Sequence, residues 1–243
     1  MFRKATEPMF FDKHPEFLAT STTAAEKDRL NLRHLAIIEE NADILRGRTV
    51  IDIASHDGRW SYAALETGAS HVIGIEGRRR LIDNTVKTFA DKGVPESQYQ
   101  FLKGDVHRRL LNSEVTGQVV FCLGFLYHTA RYVELMAGIQ STGAEHVIVD
   151  TRVLQNVDGP LVQMRNERTA GESQAMRDRF AVNRRVITAI PSEAAVLLML
   201  EAVGYELDHR TDWDAITRKH PEAKAMEQYK TGKRVTFRVK RVS

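Results

Sequence analysis

Five short runs, Thr49–Ile53, His71–Glu76, Tyr99–Leu102, Gln118–Leu123 and His146–Asp150, are rich in β-branched residues and almost continuously apolar. A strand with one wet face alternates polar and apolar side chains. One that does not alternate is buried on both faces, as parallel strands are when helices cover both sides of the sheet. The segments between the runs, 59–67, 79–92, 106–111 and 131–141, read as helices. Strand and helix therefore alternate, which predicts the α/β class, with right-handed crossovers returning the chain across a doubly wound sheet. A helix from Ser192 to Val203, stopped by Gly204, and two further strands, Glu206–Arg210 and Arg234–Lys240, close the chain.

A chain of 243 residues suits one large domain with an elaboration rather than two full domains. Its 42% hydrophobic and 28% charged residues exclude collagen-like, disordered and coiled-coil classes. The single cysteine, Cys122, permits no intrachain disulfide and no multi-cysteine zinc site, which points to a reducing compartment and a cytoplasmic protein. The longest apolar run, Val119–Tyr127, is far short of the roughly 20 residues of a membrane helix, and no signal-peptide core follows Met1, so no membrane partner is expected. The net charge of +3 is spread along the chain, with denser patches at Arg78-Arg79-Arg80 and Arg177–Arg185. That distribution favours a solvated surface over a nucleic-acid face. Oligomeric state is not encoded legibly.

Residues 1–45 read as a helical cover: Thr23 and Glu26 form a capping box, and Leu30, Leu32, Leu35, Ile37, Ile38 and Leu45 make an imperfect apolar stripe. Residues 46–243 form the main domain. Within it, about 152–190 breaks the alternation and reads as a loop-rich insertion on the substrate side, of the kind that serves as a lid. Leu161, Val162, Met164, Phe180, Val182, Val186 and Ile187 give it material to pack.

Ligands of a doubly wound sheet sit outside the carboxyl ends of its strands. After the first strand comes Asp52-Ile53-Ala54-Ser55-His56-Asp57-Gly58-Arg59-Trp60. Its small residues allow close backbone approach, and the helix opening after Gly58 offers free amides, which suits a nucleotide-type cofactor. A dinucleotide fingerprint laid on Ala54, His56 and Arg59 fails at all three glycines, which disfavours a dehydrogenase, and no phosphate-binding P-loop motif exists. A cofactor with a ribose but no phosphate bridge remains. Glu76, ending the second strand beside Gly77, is placed to accept from both ribose hydroxyls. Asp105, after the third strand, either takes an adenine amine while Val106 packs on the ring, or caps the helix that follows.

The set Asp52-x-Ala54-x-x-x-Gly58, Glu76, Gly104-Asp105 and Leu123-Gly124-Phe125-Leu126-Tyr127-His128 resembles the motif series of the class I S-adenosylmethionine-dependent methyltransferases, over roughly residues 45–150 and the closing elements. The resemblance implies a mostly parallel, Rossmann-like seven-stranded sheet with an antiparallel last strand. It implies S-adenosyl-L-methionine as cofactor and S-adenosyl-L-homocysteine (SAH) as product. It gives the methionine portion to Asp52, Ala54, Ser55, His56, Gly58 and Trp60, the ribose to Glu76 with Gly77, the adenine to Asp105 with Val106, and the rim to Leu123 and Gly124. The family usually carries glycine where this chain has Ala54 and His56.

Methyl transfer is an in-line displacement, and an alcohol acceptor gains from a base of near-neutral pKa. His128, on the rim, is the first candidate, with His107 and His56 behind it; packing is the alternative role for each. The expected reaction is methylation of a small-molecule acceptor at a hydroxyl oxygen. Arginines of the insertion, Arg165, Arg168, Arg177, Arg179, Arg184 and Arg185, suit an anionic acceptor. Metal-assisted O-methylation would need oxygen ligands such as Asp150, Asp158 and Glu167, and no metal set is assigned. Leu126-Tyr127-His128 and Ile190-Pro191-Ser192 also resemble the carboxymethyl transferases of tRNA wobble uridine, which use a carboxylated cofactor held by extra basic residues and carry a longer N-terminal extension. A non-catalytic S-adenosylmethionine-binding protein is the third reading.

Overall fold

A computed structural model describes residues 7–19, 26–112, 115–169 and 179–242. The predicted apolar runs are strands β1 (Thr49–Ile53), β2 (His71–Glu76), β3 (Tyr99–Lys103), β4 (Val119–Leu123) and β5 (His146–Arg152). All five are parallel, in the order β3-β2-β1-β4-β5. The chain reverses on either side of β1, so the loops leaving β1 and β4 face each other across the switch point where α/β ligand sites form. Strands β8 (Tyr205–Arg210) and β9 (Arg234–Arg241) complete seven strands, with β9 antiparallel to both β5 and β8.

Helices α5 (Arg59–Glu66), α6 (Arg79–Asp91), α7 (Val106–Leu111), α8 (Tyr132–Ser141) and α9 (Glu193–Glu201) fall where the helical segments were expected. Ser192 caps α9 by accepting from the Ala195 amide, and Gly204 follows the helix at φ 86°. The near-continuous apolarity of the strands has the expected result: Ile51, Ile53, Ile75, Val120 and Val147 bury themselves on one face of the sheet, and Val50, Val72, Val119, Phe121 and Ile148 on the other.

Two expectations need correction. The helical stripe expected from the Thr23 cap to Leu45 is broken into α3 (Lys27–Ile37), a 3₁₀ turn over Glu39–Asn41 and α4 (Ala42–Leu45), preceded by the short α1 (Phe10–Lys13) and α2 (Glu16–Ala19). Asn41 is buried and its amide donates to the Ala36 and Ile37 carbonyls, which stops α3 from continuing. Thr23, the expected cap, lies outside the described residues. The stretch 152–190, read as loop-rich, contains an antiparallel pair, β6 (Val162–Arg168) and β7 (Arg185–Pro191), registered from Val162 against Pro191 to Arg168 against Arg185. Most of β6 is exposed, so its polar, arginine-rich sequence carried no burial signal. Arg177 lies outside the described residues. The remaining helices, α10 (Trp213–Lys219) and α11 (Glu227–Lys230), sit between β8 and β9.

Candidate active site

The loop leaving β1 is held by unusual backbone. Ala54 and His56 have φ of 54° and 55°, and Gly58 has 73°. The two positions at which the methyltransferase motif favours glycine are thus left-handed here too, occupied by residues that adopt that conformation at a cost. The Ser55 amide donates to Ile75 of β2 and the Gly58 amide to Ser55, which fixes the turn. A side chain on Gly58 would collide with Thr85 of α6.

A cavity opens over this loop. Of the residues singled out in the sequence, Asp52, Ala54, Ser55, His56, Trp60, Leu123, Gly124 and His128 line it. Gly58, Glu76, Gly77, Asp105 and Val106 do not. The Asp52 carboxylate is fully buried, accepts a 2.7 Å bond from Ser61, and is pushed up by burial to about 7. Glu76 is also fully buried, and four donors occupy it: the His56 amide at 3.1 Å, the Arg78 amide at 2.9 Å, and Arg78 Nε and Nη2 at 2.8 and 3.2 Å. Asp105 takes the capping role, accepting from the His107 and Arg108 amides at the start of α7. Its other oxygen pairs with Arg131 at 2.7 Å.

The histidines separate by environment. His107 is buried, with Nδ1 3.1 Å from Asp105 and Nε2 3.2 Å from Thr129, so both nitrogens are engaged. His128 lies on the cavity wall in a 3₁₀ turn after β4, with Nδ1 3.2 Å from each carboxylate oxygen of Glu167 on β6. A carboxylate on one nitrogen fixes the tautomer and leaves Nε2 for other chemistry.

What sequence reasoning missed is an arginine lining in which each guanidinium is paired with a carboxylate. Arg29, Arg33, Arg59, Arg78 and Arg234 all border the cavity, from α3, α5, the β2 exit and β9. They are too dispersed in sequence for any local pattern to group them. Arg33 and Arg234 share one carboxylate: Asp150 accepts from Arg33 Nη2 at 3.0 Å, Arg234 Nε at 2.7 Å, Tyr229 at 2.8 Å and Thr236 at 2.7 Å. Burial raises the Asp150 carboxyl, but Arg234 and Arg33 outweigh it and hold the group well below the usual carboxylate range. Arg33 also lies 5.0 Å from the Trp60 ring. Tyr127, accepting from Arg234 at 3.2 Å, is raised by burial, yet Arg234 and Arg33 bring it below its ordinary value.

These pairings bear on a metal. Asp150 is saturated by cations and hydroxyls, Asp158 is exposed, and Glu167 is held by His128. Among the described residues no three His, Cys, Asp or Glu side chains cluster as ligands, and no helix is long and apolar enough to cross a membrane.

No family model matches the chain. A tRNA U34 carboxymethyltransferase from Idiomarina loihiensis is 27% identical over 193 residues, covering 72% of this chain. The chain spans 55% of that relative's length. An S-adenosylmethionine-dependent methyltransferase from Mesorhizobium loti superposes with a TM-score of 0.55 at 14% identity, over 82% of this chain and 93% of that one. The N-terminal domain of EvdMO1 with SAH bound gives 0.54 at 16%, over 93% and 83%. The seven-stranded sheet with its antiparallel β9, the left-handed loop after β1 and these superpositions agree: the chain has the fold of the class I S-adenosylmethionine-dependent methyltransferases.

Proposed function

We propose that the protein is an S-adenosylmethionine-dependent methyltransferase acting on a hydroxyl oxygen of a small-molecule acceptor. The observation that carries this reading is the His128–Glu167 pair at the edge of the cavity over the β1 loop. The residues present fit the cofactor. The β1 loop offers close-approach backbone, Gly124 leaves the wall without a side chain beside Arg234 and Tyr127, and Asp52 is a buried carboxylate facing the space a cationic group would enter. In this reading Asp52, Ala54, Ser55, His56 and Trp60 hold the methionine portion and Glu76 the ribose, while Asp105 is committed to capping α7 and to Arg131.

The bound cofactor would supply an electrophilic methyl group on a sulfonium. The chain supplies the rest. Glu167 accepts from Nδ1–H of His128, so Nε2 takes the proton from the acceptor hydroxyl as its oxygen turns nucleophilic. In this reading the arginines of the wall orient an anionic acceptor, α3 borders the cavity, and hairpin β6–β7 brings Glu167 to His128. A cytoplasmic location belongs to this reading and rests on the single cysteine of the sequence. Titration with SAH, followed by assay of SAH release with a panel of hydroxylated acids, tests the proposal. Tight NADH binding in place of SAH binding would contradict it.

A second reading is transfer to tRNA. It is favoured by the carboxymethyltransferase relative and by the five arginines at the cavity, which would also suit an acidic cofactor. Binding of tRNA whose affinity falls steeply with salt would select this reading, because phosphate contacts release counterions.

A further inference from the structure

The two halves of the proposed cofactor site are in different states. The methionine half, over the β1 loop, is open cavity. In the nucleoside half both carboxylates are already occupied by guanidinium groups of the same chain, Glu76 by Arg78 and Asp105 by Arg131. The Glu76 contact has a specific form. Arg78 sends Nε to one carboxylate oxygen and Nη2 to the other, at 2.8 and 3.2 Å, which is the two-donor pattern a ribose diol would present to the same oxygens. The backbone amides of His56 and Arg78 take further acceptor sites on this carboxylate. Glu76 is wholly buried, whereas the Arg78 side chain is 32% exposed and lines the cavity. The arginine therefore has a solvent-side route away from the acid. The acid has none.

We propose that Arg78 is a latch on the ribose subsite, an affinity-setting residue that occupies Glu76 until a nucleoside diol displaces it. The inference rests on the methyltransferase reading, because it takes Glu76 as the ribose acceptor. Its physical content is a competition: two neutral hydroxyls must replace a charge-assisted pair, so the apparent affinity for cofactor is reduced by the fraction of molecules with the latch open. The two amide donors persist in either state and keep Glu76 partnered during the exchange. The displaced guanidinium stays at the cavity edge, so its charge becomes available to an acceptor only after the cofactor has entered. Cofactor should accordingly bind before an anionic acceptor.

The test is calorimetric and kinetic binding of SAH to the full chain, wild type against Arg78→Ala and Arg78→Gln, with thermal unfolding of each as the check on folding. The latch predicts that Arg78→Ala binds SAH about tenfold more tightly through a faster on-rate, with Arg78→Gln intermediate. It also predicts a salt signature. Because Glu76 is buried, salt screens the pair only weakly, so raising NaCl should improve the affinity of wild type for SAH slightly relative to that of Arg78→Ala. Weaker binding by a folded Arg78→Ala would show that the arginine contacts the cofactor directly, and unchanged binding with identical salt dependence would show that it never competes; either overturns the latch. Absence of SAH binding by wild type and variants alike would overturn the cofactor reading and the latch with it.

Discussion

Asp52 is the residue whose chemistry is most sensitive to its surroundings. Its carboxyl, pushed by burial to about 7, stays protonated in the folded protein where an unfolded chain would already have released the proton. The folded state thus holds the extra proton between about pH 4 and 7, and the stability this adds is full below the unfolded value and is lost as pH rises through about 7. Asp52→Asn should remove that slope, seen in urea unfolding at pH 5 and pH 8; an unchanged slope would show that Asp52 is ionised throughout. A cationic ligand beside Asp52 should also expel its proton, so binding heats near pH 7 should vary with buffer ionisation enthalpy in wild type and not in Asp52→Asn. Asp150 behaves oppositely. Held low by Arg234 and Arg33 despite its burial, it stabilises the fold above the ordinary carboxylate range and loses that contribution as pH falls. Asp150→Ala would strand two buried guanidinium groups and should cost about 3–5 kcal/mol by denaturant unfolding.

At the scale of elements, the site is assembled from pieces of unequal legibility. The strands announced themselves because burial on both faces leaves an unbroken apolar run, and the loop after β1 was found because its position follows from strand order. The hairpin β6–β7 was missed because β6 is exposed nearly throughout and has no inner face to impose alternation, although its partner β7 is mostly buried. Yet it brings Glu167 to His128. His128→Ala should lower kcat by about 10²-fold or more with SAH affinity retained, and Glu167→Gln, which removes the carboxylate that orients the ring, should lower kcat by a smaller factor. Equal turnover by wild type and a folded His128→Ala would assign the histidine to packing. The β1 loop invites a different test. Gly58 is left-handed and against Thr85, so Gly58→Ala should destabilise the fold by about 1–3 kcal/mol and weaken SAH binding as the loop shifts. Ala54 and His56, where glycine was expected, keep the left-handed backbone, so this departure changes the strain of the turn and leaves its path intact.

For the whole molecule, the seven-stranded sheet could be anticipated because its pattern is local. The arginine lining could not, since Arg29, Arg33, Arg59, Arg78 and Arg234 meet only after α3 and β9 fold onto the switch point. The same holds for Glu76 and Asp105: their positions at strand ends were legible, but the partners that occupy them, Arg78 and Arg131, became visible only in three dimensions. We propose that this cavity and these carboxylates form a site for S-adenosylmethionine. Isothermal titration of SAH into wild type and Glu76→Ala tests it most directly. Micromolar binding to wild type and none to a folded Glu76→Ala is expected; no heat with wild type, or equal affinity for both proteins, would show that the site does not hold the cofactor in this way.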